Sequence, residues 1–278
     1  MLQNIQLPPF IYGTAWKGTM TSELVKMAIN AGFCAIDTAN QPKHYSEPSV
    51  GAALLQLYES GIHREQLFLQ TKFTSVEGHD ENIPYDPAMD YTTQVNSSFQ
   101  SSLEHLHTDY VDSYLLHGPY SASGLSIADW EVWAAIEKIY EGKRTKLIGI
   151  SNVNLPQLEL LTQKARIKPM IVQNRCFAHR GWDQSIREFC KANQIIYQGF
   201  SLLTANIPVL QTQQIREISQ RFNKNPAQII FKFALQIGIV PLTGTSNEQH
   251  MHEDLSISDF ELTAEDIALI AKLGLIEH

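Results

Sequence analysis

A carboxylate, an ammonium, an imidazole and a phenol stand at Asp37, Lys72, His117 and Tyr45, and the first three each close a short apolar run. Cys34-Ala35-Ile36 leads to Asp37, Leu67-Phe68-Leu69-Gln70-Thr71 to Lys72, and Tyr114-Leu115-Leu116 to His117. Together such groups form a proton-transfer set. An ammonium beside a phenol favours phenolate and pulls its pKa down from about 10. The carboxylate keeps the ammonium charged, and a neutral imidazole can hydrogen-bond and orient a substrate oxygen. The set can protonate a carbonyl oxygen as negative charge develops on it. It supplies a proton but no electrons, so a reduction here needs a hydride donor such as a nicotinamide cofactor. Lys72 alone also permits a Schiff-base lyase or isomerase, which Asp37 as its neighbour makes less attractive.

Groups this far apart in sequence need a scaffold that gathers strand ends. Eight apolar runs read as strands, at 10–13, 34–37, 67–72, 111–117, 146–151, 171–173, 195–200 and 239–242. Between them lie stretches with helical spacing, such as Leu24, Met27, Ala28 and Ala31, or Val95, Phe99, Leu103 and Leu106. Asn225-Pro226 reads as an N-cap with proline at the first helical position, Gly142 as a helix stop and Thr263 as a cap. Regular alternation of strand and helix implies a parallel sheet. Eight units in 278 residues predict an α/β fold, the closed (β/α)8 TIM barrel, as one domain over 1–278; an open doubly wound sheet is the rival. In a barrel all strand C-termini share one face, so Asp37, Lys72, His117, Ser151, Asn152 and Gln173 converge there.

Composition narrows the class. With 44% hydrophobic and 18% charged residues the chain can bury a large core, and no apolar stretch is long enough for a membrane span. The net charge of −8 disfavours nucleic-acid and membrane-surface partners. Three cysteines, an odd count without metal-ligand spacing, fit a reducing, cytoplasmic setting and no metal site. No Gly-x-Gly-x-x-Gly, phosphate-loop, His-Glu-x-x-His or Gly-x-Ser-x-Gly motif occurs.

In this order the motifs resemble the aldo-keto reductase superfamily. They are Gly13-Thr14-Ala15-Trp16, Ile36-Asp37-Thr38-Ala39, Tyr45-Ser46-Glu47 with Val50-Gly51, Gln70-Thr71-Lys72, Leu116-His117-Gly118-Pro119, Ile148-Gly149-Ile150-Ser151-Asn152 and Val172-Gln173-Asn174. The resemblance implies a barrel that reduces an aldehyde or ketone with NADP(H), or with NAD(H), without a metal. It makes Tyr45 the general acid, Lys72 its pKa-lowering neighbour, Asp37 the anchor of that lysine and His117 the group that orients the carbonyl. Ser151, Asn152 and Gln173 become the carboxamide-binding set, and Gly13, Thr14, Asp37 and Ser201 join the cofactor site. Phe200 falls where the family stacks a tyrosine on the nicotinamide, and keeps the π face.

The chain departs from the family pattern in two places. Tyr45 lies eight residues after Asp37 and two before Glu47, farther from the aspartate and nearer the glutamate than in the family. Counting back from Glu47 puts His44 in the tyrosine's place; a phenol suits the lysine-assisted role, which favours Tyr45 and leaves His44 as a substrate contact. Around Thr243-Gly244-Thr245-Ser246-Asn247 the family's phosphate-binding lysine and arginine are missing. Leu242 or Gly244 stands in the lysine region, His250 is the nearest match to the arginine, and Asp254 occupies an asparagine position, which weakens the expected preference for NADPH. Thr245 and Ser246 precede a helix whose free N–H groups can take a phosphate. Trp16 and Tyr120 follow strands and are expected to line the substrate pocket. The chain ends soon after its last amphipathic helix, which leaves the long loop at 74–90 as the expected pocket wall. The alternative reading is a cofactor-binding sensor with little turnover.

Overall fold

The apolar runs pair in chain order. The computed structural model describes residues 7–275. Its strands are β1 (Ile11–Gly13), β2 (Ala35–Asp37), β3 (Phe68–Phe73), β4 (Val111–Leu116), β5 (Thr145–Ser151), β6 (Ile171–Arg175), β7 (Ile196–Phe200) and β8 (Val240–Thr243). Each pairs in parallel with the next, and β8 returns to β1 through Ile11↔Leu242 and Tyr12↔Thr243, so the sheet is a closed barrel rather than an open one.

Helices clothe the outside. After β1 to β6 come α1 (Thr21–Ala31), α2 (Glu47–Glu59), α3 (Tyr91–His105), α4 (Ile127–Glu141), α5 (Leu155–Lys164) and α6 (Gln184–Ala192). Three follow β7, namely α7 (Ile207–Leu210), α8 (Gln213–Phe222) and α9 (Pro226–Gln236); α10 (Glu248–Leu255) and α11 (Ala264–Lys272) follow β8. The expected punctuation operates. Asn225 accepts the Gln228 N–H ahead of Pro226, Thr263 accepts the Asp266 N–H, and Gly142 ends α4. Val95, Phe99 and Leu103 are buried on α3, and Trp133 of α4 is buried with its indole N–H on the Ile167 carbonyl.

Two cores result from the period-two alternation of buried strands. One lies between sheet and helices. The other fills the barrel interior with Ile11, Ala35, Phe68, Leu115, Leu147, Ile171 and Leu242. Two residues on from Ala35, Phe68 and Ile171, the same inward register carries Asp37, Gln70 and Gln173. Ile196 precedes Gln198 in the same way. The floor of the barrel is therefore apolar and the layer above it polar.

Strand β5 crosses this interior closely. A Cβ on Gly149 would land on the Ile171 carbonyl oxygen and 2.8 Å from Leu115 Cδ2. A backbone oxygen in a hydrogen-bonded sheet cannot step aside cheaply. Gly149→Ala is expected to destabilise the fold by about 1–3 kcal/mol through overpacking; an unchanged melting temperature would show that β5 and β6 have more room than this.

Candidate active site

The alternation that places Asp37 on β2 and Lys72 on β3 inside the barrel also buries them, at 3% and 0% exposure. A buried charge needs a counter-charge and full hydrogen bonding. Lys72 Nζ donates to Asp37 Oδ1 at 2.7 Å, to Asp37 Oδ2 at 2.7 Å and to the Thr38 carbonyl at 2.8 Å. An ammonium has three protons, and here each is spent. Burial pulls the lysine pKa down while the Asp37 carboxylate opposes that pull.

Tyr45 lies on the loop between β2 and α2. Its ring sits 5.4 Å from Lys72 Nζ, measured to the centroid, and 5.9 Å edge-to-face from the His117 ring. The expected fall in the phenol pKa does not occur. Burial raises it, and the Asp37 charge raises it further. The reason is that Lys72 is locked into a pair of nearly zero net charge, whose field at the phenol is weak, while desolvation penalises phenolate. His117, just past β4, is held well below the usual histidine range by burial and by the Lys72 charge, so it is neutral. Its Nδ1 is 2.7 Å from Thr74 Oγ1. A hydroxyl either donates or accepts, which leaves His117 Nε2 able to carry the proton toward a substrate oxygen.

His44 has other partners. Its Nδ1 is 2.9 Å from Gln41 Oε1, its ring lies 3.8 Å from that of Trp16, and its carbonyl accepts the Trp16 N–H at 2.7 Å. Between the two neighbours, Tyr45 is the one beside Lys72 and His117.

These groups line a cleft of about 960 Å³ at the C-terminal mouth of the barrel. The cleft gathers Asp37, Tyr45, His117, Ser151, Asn152 and Gln173, as well as Gly13, Phe200, Ser201, Thr245, His250 and Asp254, with Trp16 and His44 at the mouth. Lys72 lies beneath it. Three expected contacts are not in its lining: Thr14, whose hydroxyl is turned onto the Asp37 carbonyl, Ser246 and Tyr120. Tyr120 packs edge-on against Tyr91 at 5.7 Å, and its backbone N–H is tied to Asp129 of α4. The 74–90 loop is not a wall either. Tyr85 stacks on Phe73 and donates to the Thr74 carbonyl at 2.6 Å, folding the loop back on its own start.

The cleft suits a dinucleotide. Ser151 Oγ donates to the Gln173 carbonyl and Asn152 Nδ2 to the His117 carbonyl, which fixes an amide and a hydroxyl group in the cleft that Phe200 also lines. Lys17 and Arg175 line it as cations, and neither pairs with a carboxylate among the described residues. Leu242 and Gly244 supply no positive charge, and the ammonium at Gly244 is that of Lys17, bonded to the Gly244 carbonyl. At α10 the Asn247 side chain already accepts the His250 N–H, so this helix start is first of all a capped one. Asp254 accepts from Thr243 Oγ1 at 2.8 Å; burial pushes its pKa up to about 7. Near neutral pH much of it is protonated, and it can then donate as well as accept, as an asparagine does.

Sequence reasoning assigned no role to Lys17, Gln41, Gln70, Arg175, Gln198 and Glu253. For three of them a signal existed: Gln70, Arg175 and Gln198 stand two residues from Lys72, Gln173 and Phe200, hence on the same inward face. Backbone strain gave no signal. Trp16, Asn152 and Ser201, all in the cleft, have φ of 61°, 53° and 56°, a region that costs free energy for residues other than glycine.

The profile of the Aldo/keto reductase family matches residues 17–274. The glyoxal reductase of Bacillus subtilis (strain 168) is 32% identical over 273 residues, covering 98% of this chain and 90% of the relative. The 9,11-endoperoxide prostaglandin H2 reductase of Trypanosoma cruzi (strain CL Brener) is 30% identical over 277 residues, covering 98% and 89%. A solved aldo-keto reductase complexed with NADPH superposes with a TM-score of 0.82 at 26% identity, covering 98% of this chain and 85% of that one.

Removing one partner of the buried pair tests its energetics. Lys72→Met leaves Asp37 Oδ2 without a donor among the described residues, and a loss of about 3–5 kcal/mol is expected. The double variant Asp37→Asn/Lys72→Met removes both charges and should recover much of that loss in denaturant unfolding. A double variant no more stable than the single one would mean that the two charges do not depend on each other.

Proposed function

This chain belongs to the aldo/keto reductase family and reduces carbonyl groups with NADP(H); we propose that Tyr45 delivers the proton, with His117 orienting the carbonyl oxygen and the Asp37–Lys72 pair supporting both. The observation that carries this reading is the placement of the Tyr45 ring in the cleft with Lys72 Nζ over it and His117 at its edge. When bound, the reduced dinucleotide supplies a hydride. Ser151, Asn152 and Gln173 would hold its carboxamide, Phe200 would meet its ring, and Lys17 and Arg175 would meet its phosphates. A carbonyl oxygen between Tyr45 and His117 receives a hydrogen bond from each. As negative charge develops on that oxygen, the Tyr45 proton moves to it. An alkoxide is a far stronger base than a phenolate, so the raised phenol pKa does not block the transfer.

The substrate we infer is a small reactive aldehyde or dicarbonyl compound, in line with the name of the glyoxal reductase relative. Aromatic and imidazole walls at Trp16, His44 and His117 suit a compact, polar carbonyl group. The free thiols of Cys34, Cys176 and Cys190 and the net charge of −8 support action as one barrel domain in a reducing cytoplasm, away from nucleic acid. No described helix is long and apolar enough to cross a membrane. The complete donor set around the carbonyl position argues for turnover rather than for a sensor.

Two measurements test the assignment. Tyr45→Phe should lower kcat for aldehyde reduction by about 10²–10⁴-fold while NADPH binding, read by fluorescence, stays within about twofold because the phenol is given no role in holding the dinucleotide. Retained turnover would pass the acid role to His44. In the native enzyme Tyr45 is raised above its ordinary pKa and His117 lowered below its own, so neither changes charge near neutrality. The kcat for reduction should therefore be flat from about pH 6.5 to 9, and a fall setting in near pH 8 would reinstate a phenol acidified by Lys72.

A further inference from the structure

A carboxylate can only accept hydrogen bonds, and this fact orders a ring of buried amides under the cleft. Gln70 Nε2 lies 2.7 Å and Gln173 Nε2 3.0 Å from Asp37 Oδ1, so each side chain must turn its nitrogen toward the aspartate. Both nitrogens spend their second proton on one oxygen, Gln198 Oε1, at 2.8 and 2.9 Å. Gln198 in turn donates from Nε2 to Gln70 Oε1 at 3.0 Å. The register sets this up, because Asp37 pairs with Gln70 across β2 and β3, and Gln173 with Gln198 across β6 and β7. Gln70 and Gln198 are wholly buried and Gln173 nearly so.

Both N–H groups of Gln173 are thus committed inward. Its Oε1 accepts from none of the described residues, and Gln173 lines the cleft. Turning this amide over would set its oxygen against the Asp37 carboxylate and the Gln198 carbonyl and take one donor from each, an unfavourable arrangement in a buried site.

We propose that Gln198, with Gln70, is a positioning residue that locks the Gln173 amide, so that the cleft presents an acceptor to the amide N–H of the nicotinamide carboxamide. This rests on the assignment of Gln173 to that carboxamide made above. Gln198 itself touches neither cofactor nor substrate. It acts by holding the second Gln173 proton, and Gln70 acts by holding Gln198.

The test compares binding of NADP⁺ with that of its 3-acetylpyridine analogue, in which a methyl group replaces the carboxamide nitrogen and no N–H remains. Dissociation constants are read by quenching of tryptophan fluorescence, without turnover. The native protein should bind the analogue about three- to tenfold more weakly, the worth of one neutral hydrogen bond. Gln198→Met, close in size but only a weak acceptor, removes one of the two acceptors that hold the Gln173 amide and leaves Asp37 Oδ1 alone, so the ratio should fall below its native value while NADP⁺ binding weakens. Gln70→Met, which removes the two groups that orient Gln198, should shrink the ratio as well and serves if Gln198→Met melts below the assay temperature. A folded Gln198→Met or Gln70→Met protein that keeps the native ratio, or a native protein that binds both dinucleotides equally, overturns the proposal. Failure of the native protein to bind NADP⁺ at all would instead overturn the cofactor assignment on which it rests.

Discussion

The arrangement at the mouth of this barrel depends on one buried ion pair. Lys72 and Asp37 are out of water, where each alone would be several kcal/mol too costly to keep charged. They persist because every proton of the ammonium has an acceptor and Asp37 Oδ1 takes three donors, from Lys72, Gln70 and Gln173. That saturation shapes the groups around it. With no proton to spare, Lys72 reaches Tyr45 only through its field, and Asp37 largely cancels that field. Tyr45 stays a phenol and His117 stays neutral.

A phenol made less acidic is still suited to reduction. Its burden is charge that appears only when the proton leaves, and that charge appears close to an ammonium already held in place. Because Asp37 largely cancels the field of that ammonium, the proton transfer proposed for Tyr45 is driven by the basicity of the developing alkoxide rather than by Lys72.

Much of the fold was readable because its signals are local. The run at 34–37 became Ala35–Asp37, that at 146–151 became Thr145–Ser151, and the Asn225-Pro226 and Thr263 caps start helices where expected. The convergence of Asp37, Tyr45, His117, Ser151, Asn152 and Gln173 on one cleft follows from parallel strands ending on the same face. The pKa of Tyr45 was not readable, because it depends first on how deeply the fold buries the phenol and then on the nearby Asp37 charge. Tyr120 follows β4 as expected, yet the tie of its N–H to Asp129 lies in the fold of its loop. The strained φ of Trp16 likewise belongs to a loop whose partner, His44, is many residues away.

The least visible feature was the polar layer itself. A glutamine in a strand buried on both faces looks like an interruption of an apolar run, and only the closed barrel turns Gln70, Gln173 and Gln198 toward one another. An apolar layer at this height would leave Asp37 Oδ1 with the Lys72 proton alone. A charged layer would bring further desolvation costs and shift the field at Tyr45. Amides avoid both difficulties, since they are neutral and donate and accept in equal measure. The carboxylate sets the direction of the first hydrogen bond, and each amide passes that direction on. Order therefore spreads from a single ion pair to the wall of the cleft, where the Gln173 oxygen remains as the acceptor that no described residue satisfies.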